Sequence, residues 1–230
     1  MKISIVDAGT EHLGYAEQIC EEYALAAAAR GTGIARRQPE YVRKKIAEGK
    51  AVIALEGSKL AGFCYIETWS HAKFIANSGL IVLPEYRMHG LAKKIKQAVF
   101  KLSRKKYPEA KIFGITTSLA VMKINSHLGY KPVTFSELSQ DEEFWKGCQS
   151  CKNFDILQRN ECKMCLCTGM LYDPLKESKM AWLKDNMKKL TKPKQEILDT
   201  NPGQGPLLED NKEKISRIRS FFKTKKASHI

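Results

Sequence analysis

The stretch 83-LPEYRMHGLAKKI-95 decides how the rest of the chain is read. It follows the apolar run GLIVLP (79–84), which reads as the end of a strand, and passes through a short polar turn into a basic amphipathic segment. A helix that starts just after a glycine leaves its first backbone N–H groups unpaired at the positive end of its dipole. That is a natural place for phosphate oxygens. Gly90 lets a ligand approach the backbone, Ala92 keeps the next turn small, and Arg87, Lys93 and Lys94 add positive charge. A glycine turn that merely packs is the plain alternative.

Outward from this turn the pattern alternates. ISIVDA (3–8) reads as a strand, and residues 11–29 read as a helix with Leu13, Ala16, Ile19, Cys20, Tyr23 and Ala27 on one face. The loop RGTGIARRQP leads to a second helix, opened by Pro39 and ended by Gly49. AVIALE and LAGFCYIETW form a hairpin around Glu56-Gly57-Ser58, and FIANSGLIVLP (74–84) is another long strand. After the helix at 90–106 come the strand KIFGITT, a short helix at 118–128 and the strand YKPVTF. A meander that runs into βαβ units implies an α/β (α+β) fold, with a mixed, mostly antiparallel sheet flanked by helices.

The bulk numbers fit one sizeable core, since 43% of the 230 residues are apolar. No apolar run approaches the roughly 20 residues that span a bilayer, and the N-terminus lacks a signal peptide's pattern. The expectation is a cytoplasmic protein with no membrane partner. Net charge is +14, and residues 176–230 hold half of it, with 14 Lys/Arg against 7 Asp/Glu. Such a surplus suits a solvated basic tail or anionic partners.

The element order, with Arg87, Gly90 and Ala92 spelling R-x-x-G-x-A after the fourth strand, resembles the GNAT superfamily of N-acetyltransferases. The resemblance runs from about residue 2 to residue 135. It implies that the amides from Met88 through His89, Gly90, Leu91 and Ala92 cradle the pyrophosphate of acetyl-CoA or another acyl-CoA, with Lys93 beside them. It further implies that the fourth and fifth strands splay apart, and that backbone near Leu80, Ile81 and Val82 pairs with the pantetheine arm. The reaction implied is direct attack of an amine on the thioester. Such attack needs a proton acceptor, a donor for the oxyanion and an acid for the thiolate. Glu67 and His71 are the base candidates, the ordinary alternative for each being an exposed turn residue. Aligning HLGY (127–130) with the family's helix ending puts Ser118 where an Asn is usual and Asn125 where a Tyr is usual. The usual thiolate acid is then missing; water, Ser118, His127 and Tyr130 stay open as substitutes.

FGITTSLAVMKINSHLGYKPVTFSEL resembles more narrowly the acetyltransferase domain of bacterial N-acetylglutamate synthases, through Thr116, Thr117, Gly129, Tyr130, Pro132, Val133 and Leu138. The substrate this implies is the α-amino group of glutamate or a related amino acid, which would place the chain in amino-acid (arginine) biosynthesis. A stand-alone form is implied because the chain begins at the acetyltransferase. Arg36 and Arg37 could grip the substrate's carboxylates, with Thr116 and Thr117 nearby, although adjacent loop arginines are more often plain solvated charge.

Five of the seven cysteines fall in GCQSCKNFDILQRNECKMCLC, which reads C-x2-C, ten residues, C-x2-C and one more Cys. Two such knuckles facing each other make a tetrahedral thiolate site, so a structural Zn2+ is expected. Its ligands are Cys148, Cys151 and Cys165, with Cys162 as the fourth if both pairs are knuckles, or Cys167 if MCLCTGML is a strand. The alternative is a set of small buried residues, which is the reading given to Cys20 and Cys64.

The organisation expected is a GNAT acyltransferase core at 1–140, a cysteine-rich segment completing it at 141–175, a helix at 176–198, and a linker with a basic tail at 199–230. The partners expected are CoA and a small-molecule amine, and a homodimer stays open. Two other readings remain: a peptide or protein N-acetyltransferase, and a nucleic-acid-binding module built on the knuckle, the basic tail and Phe221-Phe222. Nucleic acid is not the expected partner, because acids intersperse the tail's basic residues and its aromatics lack a stacking spacing.

Overall fold

The computed structural model describes residues 2–30 and 37–191. Two compact units, Met1–Asp185 and Asn186–Ile230, divide the chain, and the sheet lies wholly in the first. Arg36, Phe221, Phe222 and all of the expected linker and basic tail at 199–230 lie outside the described residues.

Seven strands form one sheet in the order β1-β2-β3-β4-β5-β7-β6. They are β1 (Ile3–Asp7), β2 (Ala51–Glu56), β3 (Lys59–Trp69), β4 (Phe74–Val82), β5 (Lys111–Thr116), β6 (Lys131–Val133) and β7 (Thr168–Tyr172). Only β4 and β5 run parallel. The sheet is therefore mixed and mostly antiparallel, as the alternation of segments implies. Around it stand α1 (Ala16–Arg30), α2 (Pro39–Ala47), α3 (Leu91–Lys106), α4 (Leu119–His127), α5 (Glu142–Lys146) and α6 (Phe154–Arg159), and α7 (Pro174–Thr191) follows β7 in the chain.

Local chemistry explains most of these boundaries. Pro39 sits in the first turn of α2, where its missing N–H costs nothing. The buried face of α3 carries Leu91, Ile95, Val99 and Leu102 at helical spacing, and its last turn carries Arg104, Lys105 and Lys106 beside the negative end of the dipole. Ser118 caps α4 by accepting the Val121 N–H. No helix among the described residues is long and apolar enough to cross a membrane.

Three expectations need correction. The first helix starts at Ala16, because residues Thr10–Tyr15 form a 3₁₀ turn. The strand YKPVTF shrinks to Lys131–Val133, since the chain turns into a second short 3₁₀ segment at Phe135–Glu137. β6 lies at the sheet's edge, where Pro132 is tolerated without a donor. Finally, MCLCTGML is a strand only from Thr168, so a shared strand face does not place Cys165 and Cys167 together.

Two apolar cores result. The larger fills the space between α1, α2, α3 and the first strands, with Tyr23, Phe63, Tyr65, Ile95 and Val99 at its heart. The smaller gathers Phe113, Phe135, Leu138, Trp145, Leu157 and Leu171 around β5 and β7, and Cys148, Cys162, Cys165 and Cys167 pack against it. β7 inserts antiparallel between β5 and β6, so the segment after the cysteines becomes part of the sheet.

Candidate active site

The central feature is a gap in the sheet. β4 and β5 pair only through Phe74, Ile75 and Ala76 with Lys111, Ile112 and Phe113. Beyond them β4 stays with β3 while β5 stays with β7, and the two strands part. A bulge drives the parting. The register between β3 and β4 steps from Phe63↔Ile81 to Tyr65↔Ser78, leaving one extra residue on β4. Gly79 sits there with φ +62°, and a Cβ on it would stand 2.4 Å from Tyr23 Oη and 2.3 Å from Tyr65 Cε1. The Tyr23 hydroxyl donates to the Gly79 carbonyl at 2.6 Å and pins the bulge. A cleft of about 860 Å³ opens between the strands.

At one end of the cleft lies the turn that opens α3. Gly90 is its N-cap residue, left-handed at φ +72°, with no side-chain cap on the first amides. Nothing stands within 4 Å of where a Cβ on Gly90 would be. Met88 also has positive φ and is 97% exposed, and His89, Lys93 and Lys94 are exposed. Leu91 is buried in the core. Arg87 and Ala92 line the cleft with Leu80 and Val82, while Ile81 is buried in the core. Arg87 Nε donates to the Val82 carbonyl at 3.0 Å, so that carbonyl already has a partner.

The other end is built from side chains of distant segments. Glu67, on β3, is 7% exposed and accepts from Lys45 Nζ of α2 at 2.6 Å through Oε2. Its Oε1 is buried and has no partner among the described residues. Burial pushes the carboxyl up to about 7, against the opposing pull of Arg37. Burial likewise brings the Lys45 ammonium down to about 8. A carboxylate balanced near neutrality, with one lone pair unused, can take a proton from a neighbouring amine. Arg37 donates from Nε to the Tyr65 hydroxyl at 2.8 Å, and its guanidinium lies 5.2 Å from the centre of the Tyr41 ring. Trp69 lines the same wall, and its buried indole N–H has no partner among the described residues.

Thr116, Thr117, Ser118 and Asn125 border the cleft on the β5 side. Thr116 Oγ1 accepts the Ser118 N–H at 3.0 Å, and the Ser118 hydroxyl is engaged as the α4 cap. Asn125 is 1% exposed, its Nδ2 faces Met170 Sδ at 3.8 Å and its Oδ1 has no partner among the described residues. His71 does not join this group. It is exposed on the turn after β3, at φ 55°. His127 is also exposed, bound to the Lys123 carbonyl at 2.7 Å. The Tyr130 hydroxyl is buried and donates to Asn77 Oδ1 at 3.0 Å.

Cys148, Cys151, Cys165 and Cys167 line the same cleft beyond Trp69, beside Phe113 and Phe144. Burial pushes the Cys148 thiol up to about 11, helped by Cys151, Cys165 and Cys162. Burial pushes Cys167 up to about 12, helped by Cys165, Cys151 and Cys148. The sulfurs thus gather, yet among the described residues no three His, Cys, Asp or Glu side chains stand in a metal-holding arrangement.

Lys45 and Lys96 were not apparent as site residues from motif and spacing. A signal did exist: both are lysines on the apolar stripe of an amphipathic helix, Lys45 beside Ile46 and Lys96 beside Ile95. Trp69 carried no comparable signal.

Residues 18–119, somewhat under half of the chain, match the model of the acetyltransferase (GNAT) family. With the splayed sheet and the glycine-opened helix, the core has the fold of that family. Among solved structures it is similar to N-acetylglutamate synthase from Neisseria gonorrhoeae, complexed with coenzyme A and N-acetyl-glutamate. That likeness has a TM-score of 0.53 at 14% identity and covers 75% of this chain and 35% of that one. A GNAT family acetyltransferase from Staphylococcus aureus gives 0.54 at 11% identity, covering 75% and 99%. The yncA protein of Salmonella typhimurium, solved with acetyl-CoA, gives 0.52 at 12%, covering 76% and 95%. Such identities establish likeness of fold, and the chain spans about a third of the Neisseria protein's length. No curated protein matches.

Proposed function

We propose that this chain transfers an acetyl or other acyl group from acyl-CoA to a primary amine, most specifically the α-amino group of glutamate or a related amino acid. The observation that carries this reading is the buried carboxyl of Glu67, a residue that lines the cleft together with Arg87 and Ala92 of the α3 helix start and whose Oε1 has no partner among the described residues. In the mechanism, the amine nitrogen attacks the thioester carbon and passes its proton to Glu67 Oε1. The N–C bond forms, the C–S bond breaks and the CoA thiolate leaves. Lys45 holds the other carboxylate oxygen. The first amides of α3, from Gly90 to Ala92, would take the pyrophosphate. Arg37 and the Trp69 N–H would meet a substrate carboxylate, with Thr116 and Thr117 opposite. A cytoplasmic location fits this small-molecule chemistry.

A structural zinc on the cysteine segment belongs to the same proposal. Its support is the doubled C-x2-C spacing and the proximity of the five thiols, four of which pack beside one aromatic cluster. Closing the site would draw the sulfurs together from their present positions. Elemental analysis of the purified protein is expected to give one zinc per chain; metal-free protein of unchanged stability would reject it.

The test of activity is a coupled thiol-release assay with acetyl-CoA and a panel of free amino acids led by glutamate, repeated with succinyl-CoA. Release confined to glutamate or a close relative is the expected result. Release with peptides alone would move the assignment to protein N-acetylation.

A further inference from the structure

A second buried lysine lies in the cleft, apart from the Glu67 pair. Lys96 is 2% exposed and lines the gap between β4 and β5. Its Nζ stands 5.6 Å from the centre of the Tyr130 ring. It joins no ion pair with a carboxylate among the described residues, so a cation has been taken out of water with a ring face opposite. Nothing in its own helix explains this, because every other position on that face of α3 is apolar or, at Ser103, hydrogen-bonded to the Val99 carbonyl.

Its height in the cleft is fixed by its neighbours. Tyr130 is tied to Asn77, the first β4 residue after the β4–β5 pairs stop. Cys64, a neighbour of Lys96, donates its thiol to the carbonyl of Ser78, the next residue along. Across the gap lies Asn125, with its unpartnered Oδ1. Lys96 therefore sits near the vertex of the splay, well inside the helix start at Gly90. The titratable groups beside it are the Cys64 thiol from β3 and the Tyr130 phenol ahead of β6, and burial holds both above their ordinary ranges. Burial also holds the Lys96 ammonium below the ordinary lysine range, which eases release of a proton. Asn125 has no acidic proton to give.

Resting on the acyl-CoA reading above, we propose that Lys96 stands at the sulfur end of the bound arm and protonates the departing thiolate. As the N–C bond forms and the C–S bond breaks, the sulfur takes the electron pair of the broken bond and a proton from Lys96 Nζ. The amine's proton goes to Glu67, and neutral Lys96 is recharged from water.

The experiment needs no amine acceptor. CoA binding is measured by calorimetry on the full chain and on Lys96→Met, and the thiolate absorbance of bound CoA is followed against pH. The expected result is a thiol at least about tenfold more acidic in the native complex than in Lys96→Met. Once the acceptor is known, kcat should fall about 100-fold with CoA affinity unchanged. Lys96→Arg keeps the charge without a transferable proton, so it should retain the acidic thiol and lose rate. Equal thiol titration in the native protein and both variants would overturn the role of Lys96. Failure of the native chain to bind CoA would instead overturn the acyl-CoA reading.

Discussion

The two ends of the cleft are built in different ways. The α3 end is made of backbone, with a left-handed glycine, a run of unpaired amides and one helix start, all within residues 87–94. The Glu67 end is made of side chains, with Lys45 from α2, Tyr65, Glu67 and Trp69 from β3, Phe144 from α5 and cysteines from the segment before β7. A backbone site tolerates almost any side chain around its glycine, so it has a fixed sequence spacing. A side-chain site has its chemistry set by burial, which neighbours distant in sequence must supply. Glu67 and Glu85 are both glutamates of the sheet region, and only Glu67 is buried beside a lysine.

If this contrast holds, substitutions at the side-chain end should cost rate and those at the backbone end affinity. Glu67→Gln should have the largest effect, a fall in kcat of about 100-fold or more with acetyl-CoA binding unchanged, read by single-turnover kinetics beside calorimetry. Gly79→Ala tests the bulge that makes both ends accessible. A Cβ at 2.3 Å from the Tyr65 ring, at a positive φ, should cost about 1–3 kcal/mol or more, seen as a lowered Tm.

The pH profile sharpens the comparison further. A base raised to about 7 makes kcat/KM climb as pH rises through that value, because only the deprotonated carboxylate accepts the amine's proton. Lys45→Met removes the adjacent positive charge, favours the neutral acid and should move that limb to higher pH. The same group bears on stability with the opposite sense. Its folded-state value lies above its unfolded one, so the folded chain binds the extra proton and loses stability as pH rises from about 4.5 to 7. Gly90→Ala should have the smallest effect, roughly 1 kcal/mol of backbone strain and a modest rise in the KM for acetyl-CoA, since the space around it is open. A larger loss of kcat from Gly90→Ala than from Glu67→Gln would break the contrast.

Legibility of the chain follows the same division. The strand-turn-helix at 79–106, the hairpin around Gly57 and the alternation of strands and helices are local patterns, and hydrophobic period and turn chemistry reveal them. Glu67 was visible as a candidate, but its pairing with Lys45 was not, because 22 residues separate them. His71, four residues further on, looks equally suitable in sequence and ends exposed. The cysteine spacing was legible as a cluster. Its position on the wall of the cleft was not, since that depends on β7 inserting between β5 and β6.

The sequence by itself determined the order of elements, the glycine turn and its helix, the mixed sheet and the clustering of the five thiols. Tertiary structure alone decided that the parting of β4 and β5 begins after Ala76, that Glu67 loses water on one oxygen and gains a lysine on the other, and that Lys96 is enclosed with no carboxylate beside it among the described residues. The physical reason is one of range. Dihedral preference and hydrophobic period act over a few residues, whereas desolvation depends on every segment that closes around a group.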